Sequence, residues 1–158
     1  KAIALRQFNL VGERETHPYI IPEVINQVAR FKGKCAAEIP TIQLGNNSFR
    51  DFLYVGDQVR MAVELLEKGS WGEVYNLGSE KGIKIYDLAR LIGKLMGYKE
   101  IDIVIDEKRV RPYEIWHLLS DNSKIYSVID SRSIVNLEEA LKYTIADFHA
   151  AGSKWCWQ

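Results

Sequence analysis

Arg50 and Asp51 open the run R-D-F-L-Y-V-G-D, which closes at Gly56-Asp57. Phe49, Phe52, Leu53, Tyr54 and Val55 pack apolar and aromatic bulk around the pair. An arginine held by packed aromatics is fixed in space, and a fixed planar guanidinium suits a phosphate, to which it offers two parallel N–H groups. A structural ion pair, with the neighbouring Asp51 for example, is the other use of the same charge. A second group of charges follows at Arg109, Arg111 and Glu114, with Pro112 stiffening the chain between them. Asn9 lies near the end of the apolar run Ala2–Leu10. Strand ends are where α/β folds place ligands, and a turn cap is the plainer use of such a residue.

Other chemistries lack their residues. His17, His117 and His149 form no recognisable dyad, and His149 reads as a helix-terminal surface residue. Cys35 and Cys156 are far apart and carry no metal-ligand spacing, so reduced thiols are expected and no metal site. Trp71, Trp116, Trp155 and Trp157 have no basic interleaving and read as packing residues rather than a base-stacking platform. No catalytic residue is assigned.

The elements that position these groups alternate between strand and helix patterns. Ala2–Leu10 reads as a buried strand and Val11–Tyr19 as a polar loop. Pro22–Phe31 reads as a helix, with Pro22 in its first turn and Gly33 beyond its end. Short strands follow at Thr41–Leu44 and near Phe52–Tyr54. Asp57 caps a helix to Glu67 whose core face is expected at Val59, Ala62, Val63 and Leu66. Glu73–Leu77 is a second buried strand, Ile85–Met96 a helix stopped by Gly97, and Ile101–Ile105 a strand. Ser120 or Asp121 caps a short helix through Val128, and Asn136 with Glu139 forms a capping box for a last helix to about Ala150. The fold class is therefore α/β, with a parallel crossover between the strands at Ala2–Leu10 and Glu73–Leu77. Two strands make a poor sheet alone, which points to a larger one.

The 158 residues suit a single domain, 1–158, with an ordinary hydrophobic fraction of 47%. Lys plus Arg, 21, equals Asp plus Glu, 21, which argues against a nucleic-acid partner held by a general basic field. No apolar run approaches the ~18 residues of a membrane span, and no signal peptide is visible. A cytoplasmic location is expected. The chain opens on Lys1-Ala2-Ile3-Ala4-Leu5, without Met and directly into a strand pattern, as the interior of a longer protein would.

Several segments occur in a fixed order. They are L-R-Q-F-N-L-V-G-E-R at Leu5–Arg14, I-I-P-E-V-I at Ile20–Ile25, I-Q-L-G-N at Ile42–Asn46 and R-D-F-L-Y-V-G-D at Arg50–Asp57. V-Y-N-L-G-S at Val74–Ser79, R-P-Y-E-I-W at Arg111–Trp116 and S-D-N-S-K at Ser120–Lys124 complete the series. From the first residue to about Phe148 the chain resembles the C-terminal half of nucleotide-sugar epimerases and dehydratases, in the extended short-chain dehydrogenase/reductase superfamily. The resemblance implies a truncated parallel sheet packed with helices, the substrate-binding portion of an extended Rossmann-type fold. It implies a nucleoside-diphosphate sugar as ligand. Arg50 and Arg111 match the arginines on the diphosphate, with Arg109 able to replace Arg111, and Glu114 matches the acid on the ribose. Asn9 matches a residue reaching the sugar and diphosphate. Tyr19 and Ile20 match the approach to the nucleotide, and Ile42 and Leu44 flank the base beside the turn at Gly45. Plain core packing is the alternative for these last four.

In a complete family member the other half binds NAD or NADP and carries a Tyr-x-x-x-Lys pair, with the equivalents of Phe8–Gly12 bordering the nicotinamide. Here no glycine-rich dinucleotide turn follows a strand, and no Tyr is followed four residues later by Lys; Tyr86 and Arg90 come nearest. No cofactor is expected in this chain, and no turnover by it alone. Departures from the family pattern are Glu13, Gly56 and the segment Ile129-Asp130-Ser131-Arg132, which is expected to weaken the packing of the last helix. The alternative function is a non-enzymatic module. The strand at Ala2–Leu10 has an open edge and invites a homo-oligomer through it.

Overall fold

The computed structural model describes residues 1–15, 18–31, 39–130 and 132–152. Strand β1 (Ala4–Gln7) runs parallel to β5 (Val74–Leu77), with Ala4 opposite Val74 and Gln7 opposite Leu77. Strand β2 (Asn9–Val11) runs parallel to β4 (Phe49–Tyr54), with Asn9 opposite Phe52. β4 also pairs antiparallel with β6 (Gly82–Lys84) and parallel with β8 (His117–Leu118). A third parallel pair joins β3 (Thr41–Leu44) to β7 (Asp102–Ile105). The helices are α1 (Ile20–Ala29), α2 (Val55–Lys68), α3 (Ile85–Leu95), α4 (Ser123–Tyr126) and α5 (Leu137–Ala151). The protein is an α/β structure with parallel pairing, as expected.

Two apolar clusters meet at β4. The first joins Val24, Ile25 and Val28 of α1 to Ile42, Leu44, Phe52, Leu88 and Ile92, and to Ala140 and Leu141 of α5. The second joins Leu53 to Met61 and Leu65 of α2, Tyr75 and Leu77 of β5, and Ile125 and Ile129. Successive strand side chains point to opposite faces. Phe52 therefore enters the first cluster and Leu53 the second, and by the same alternation Arg50 and Asp51 leave the strand on opposite sides.

Several expectations are met residue by residue. β3 has the expected bounds, α3 buries Leu88 and Ile92, and Gly97 follows it at φ 95°. Asn136 caps α5 by accepting from the Glu139 N–H at 2.9 Å. His149 lies exposed in the last turn of α5. Gly33, His17, Cys35, Cys156, Trp155 and Trp157 lie outside the described residues.

Others are corrected. The expected strand Ala2–Leu10 is two strands, because the chain changes neighbours at Phe8, whose N–H donates to Leu77 O at 2.9 Å before Asn9 turns to β4. β1 is also largely exposed rather than buried. α2 turns another face inward: Gln58, Met61 and Leu65 are buried, while Val59, Val63 and Leu66 are 53%, 52% and 62% exposed. Asp57 does not cap this helix. It sits in the first turn, and its carboxylate accepts from Arg60 Nη2 and from the Val135 N–H, both at 2.7 Å. Of the two residues expected to start α4, Ser120 is engaged by Asp51, whereas Asp121 does start it, its Oδ1 accepting from the Ser123 N–H at 2.9 Å. Ile129 itself is buried in the second cluster, whereas Ala140 and Leu141 of α5 are buried in the first. Trp71 and Trp116 are more than half exposed, so packing inside this chain does not account for them.

Candidate functional site

A cleft of about 280 Å³ opens beside β4, on the face that carries Arg50 and Phe52. Its polar lining includes Asn9, Glu23, Asn46, Arg50, Arg109, Arg111 and Glu114, and its apolar lining Tyr19, Ile20, Leu44, Phe52 and Ile85. Residues from β2, α1, β3, β4 and the loop after β7 thus converge on one space. Of the residues singled out from the sequence, Asn9, Tyr19, Ile20, Leu44, Arg50, Arg111 and Glu114 all line it. Ile42 does not; it is fully buried in the first cluster.

Arg50 is held from three directions. Its Nη1 donates to Phe49 O at 2.9 Å and to Ile115 O at 2.6 Å, and its Nη2 forms a short ion pair with Glu114 Oε1. Both side chains of that pair are largely buried. The expected alternative, a structural ion pair, is therefore formed, with Glu114 and not with Asp51. Asp51 is fully buried on the other face of β4. Its Oδ1 accepts from Ser79 N at 2.7 Å and Ser79 Oγ at 2.6 Å. Its Oδ2 accepts from Ser120 N at 3.0 Å, Ser120 Oγ at 2.6 Å and Glu80 N at 3.2 Å. Asp51 thereby ties the turn after β5 and the segment after β8 to the strand that carries Arg50. Asn9 joins this assembly through Nδ2, which donates to Asp51 O at 2.9 Å.

The far wall is a loop. Arg109 pairs with Glu23 Oε1 at 2.8 Å and with Asp106 Oδ2 at 3.2 Å. Gly45 lies so close beneath it that a Cβ there would collide with the Arg109 carbonyl. Any side chain at that position would push the loop outward. Arg111 is exposed, and its guanidinium has no partner among the described residues. Three arginines face two glutamates, Glu23 and Glu114, so the lining carries one excess positive charge. Such a lining favours a ligand bearing two phosphates over a neutral one.

A second cleft of about 510 Å³ shares Asn9, Tyr19, Ile20 and Phe52 with the first and is lined further by Gln7–Glu15 and Val55. Glu15 stands in this lining. Burial pushes its carboxyl up to about 8, and its Oε2 is shut from solvent with no hydrogen-bond partner among the described residues. Sequence reading missed Glu15, Glu23 and Ser48 as lining residues. Glu23 alone left a signal, as an acid in the first turn of a helix that starts beside the cleft. Among the described residues no helix is long and apolar enough to cross a membrane, and no group of three or more His, Cys, Asp or Glu is placed to hold a metal.

The family model described as GDP-mannose 4,6 dehydratase matches residues 1–144. GDP-6-deoxy-D-mannose reductase of Pseudomonas aeruginosa is 25% identical over 151 residues, covering 95% of this chain and 49% of that protein. The solved structure of RMD from Pseudomonas aeruginosa complexed with NADPH superposes with a TM-score of 0.82 at 24% identity, over 94% of this chain and 48% of that one. UDP-glucose 4-epimerase with UDP-glucose from Thermotoga maritima gives 0.76 at 24% identity, over 94% and 46%. The chain spans about half the length of these relatives.

Proposed function

This chain belongs to the GDP-mannose 4,6-dehydratase family, within the nucleotide-sugar dehydratases and epimerases of the extended short-chain dehydrogenase/reductase superfamily, and from that premise we propose that it binds a nucleoside-diphosphate sugar. The observation that carries this reading is the convergence of Arg50, Arg111 and Glu114, distant in sequence, on one cleft with Asn9, Tyr19, Ile20 and Leu44. In this reading the two arginines grip the diphosphate, Glu114 accepts from ribose hydroxyls, and Ile20 and Leu44 receive the base. Among the described residues the bonds of Arg50 run through Nη1 and Nη2, which leaves its Nε–H for the ligand in this reading. Ile42 supports Leu44 from inside the core rather than touching the ligand.

The same reading places NAD or NADP chemistry outside these residues. The described turn nearest in kind to a pyrophosphate cradle is Gly78–Gly82, which follows β5. Its Ser79 and Glu80 N–H groups already donate to Asp51, and a Cβ at Gly78 would collide with Ser120 and Asp51. A dinucleotide needs such N–H groups free. The chain then holds a substrate and does not turn it over alone.

Calorimetry with UDP-, GDP- and dTDP-sugars tests this. Micromolar binding to one of them that is lost in Arg50→Ala is expected, with silence toward NAD and NADP. No heat with any of the three sugars overturns the binding reading, and tight NAD binding overturns the second part.

One observation favours a different role, self-association. β1 has one strand neighbour, β5, and its other edge is unpaired among the described residues. A homo-oligomer through that edge would sediment above the monomer at micromolar concentration; a strictly monomeric boundary ends this reading.

A further inference from the structure

Arg111 presents a difficulty that its surroundings resolve. Its guanidinium is exposed and has no partner among the described residues, and it stands in a loop without regular structure, between the 3-10 turn Glu107–Arg109 and β8. A free arginine on a free loop would be a poor phosphate ligand, because ordering it costs entropy at the moment of binding. The loop is not free. The Arg111 N–H donates to Asn46 Oδ1 at 2.7 Å, and Asn46 Nδ2 reaches back to Arg111 O at 3.4 Å. Asn46 is itself fixed. The residue before it, Gly45, has its carbonyl held by Tyr86 Oη at 2.9 Å and its Cα seated against the Arg109 carbonyl. In the residue after it, Asn47 Oδ1 accepts from the Tyr86 N–H at 3.0 Å. The turn Gly45–Asn47 is therefore a bracket. One side is bolted to the first turn of α3, and the other grips the backbone of the arginine loop.

We propose that Asn46 is a positioning residue that aims Arg111 into the cleft. This rests on the reading that Arg111 meets the diphosphate. Asn46 also lines the cleft, but its amide is turned to the loop backbone. It acts by fixing where the guanidinium stem begins, so that only the side-chain torsions of Arg111 remain to be ordered when the ligand arrives.

A double-mutant cycle separates this role from general support of the fold. The probe is whichever of UDP, GDP and dTDP the unsubstituted chain binds most tightly, and the readout is its dissociation constant for Asn46→Ala, Arg111→Ala and the double variant. Asn46→Ala is expected to weaken binding about tenfold, and to add nothing in the Arg111→Ala background, since the two residues act as one unit. Losses that multiply in the double variant overturn the assignment. If Arg111→Ala leaves the constant unchanged, the reading of Arg111 falls and takes Asn46 with it, which is a different pattern from multiplied losses.

Discussion

The two flanks of this molecule are finished to different degrees. Around β4, charges are enclosed and answered: Asp51 is fully buried and saturated by Ser79, Glu80 and Ser120, and Arg50 is locked to Glu114 and two carbonyls. Around β1 and α2, the strand is exposed and the helix turns Val59, Val63 and Leu66 to solvent, with Trp71 just beyond. Both flanks belong to one chain and share the second apolar cluster through Leu53, Met61 and Leu65. The difference teaches that the cleft is built by contacts inside this chain. The β1–α2 flank leaves a strand edge unpaired and apolar side chains exposed among the described residues.

The contrast breaks first at Asp51. Replacing it with Ala leaves the N–H groups of Ser79 and Ser120 and the Ser120 hydroxyl without their acceptor in a closed interior, while the Glu80 N–H keeps Ser120 Oγ and the Ser79 hydroxyl keeps Lys81 O. The expected loss is about 3–5 kcal/mol, a large part of what a domain of this size possesses. Chemical denaturation measures it. A loss under about 1 kcal/mol would mean that water reaches the assembly and that the cleft flank is less closed than its geometry implies.

Leu65 tests the inner face of α2. It is 1% exposed and packs in the second cluster. Leu65→Ala is expected to cost about 2–4 kcal/mol by the same denaturation assay, as buried leucine truncations do. Equal costs at Leu65 and at Leu66 would erase the distinction between the inner and outer faces.

Glu15 puts pH into the comparison, because it is the one described carboxyl on the cleft side raised to about 8 by burial. Between its ordinary value of 4.5 and about 8, the folded chain keeps this proton while the unfolded chain has lost it. The stability linked to Glu15 is therefore fully present below 4.5 and is lost as pH rises toward about 8. The slope is at most about 1.4 kcal/mol per pH unit. Glu15→Gln removes that slope, so the variant is expected to melt above the parent at pH 8 and to match it near pH 5. A parallel pair of melting curves across this range would show that Glu15 is solvated. The charged groups of its surroundings, Glu13 and Arg14 on its own loop and Asp147 of α5, whose carboxylate accepts from the Arg14 N–H at 2.9 Å, do not oppose the shift that burial imposes.

What the sequence disclosed follows the range of the interactions. β3, α3 and the Asn136 cap were legible because a short apolar alternation, a stripe and a cap are local signals. The break at Phe8 was not, since it exists only because β5 and β4 stand at different places beside the same run. β6 and β8 are three and two residues long and are strands only by virtue of β4. Within the cleft, the order of motifs named Arg50, Arg111 and Glu114. It could not show that Arg50 and Glu114, 64 residues apart, are partners, or that Asp51 faces away from Arg50. Nor could it mark Glu15, whose burial shows only in the folded chain.

The smallest effect is expected on the outer face of α2, and its sign carries the argument. α2 is apolar at Val59, Met61, Ala62, Val63, Leu65 and Leu66, more than one face of a helix can bury, so periodicity alone chose the wrong stripe. The chain chose Met61 and Leu65 because α2 begins directly at Val55 after β4 and Asp57 is tied to the Val135 N–H, which fixes the rotation of the helix. Lys is a better helix former than Val, and neither Val59 nor Val63 loses much burial when replaced. Val59→Lys and Val63→Lys are therefore each expected to leave the unfolding free energy unchanged or raise it, within about 0.5 kcal/mol. Any self-association that uses this flank should weaken in sedimentation. A cost above about 1 kcal/mol for either change would mean that the outer stripe is covered in the isolated chain, and the two flanks would no longer differ.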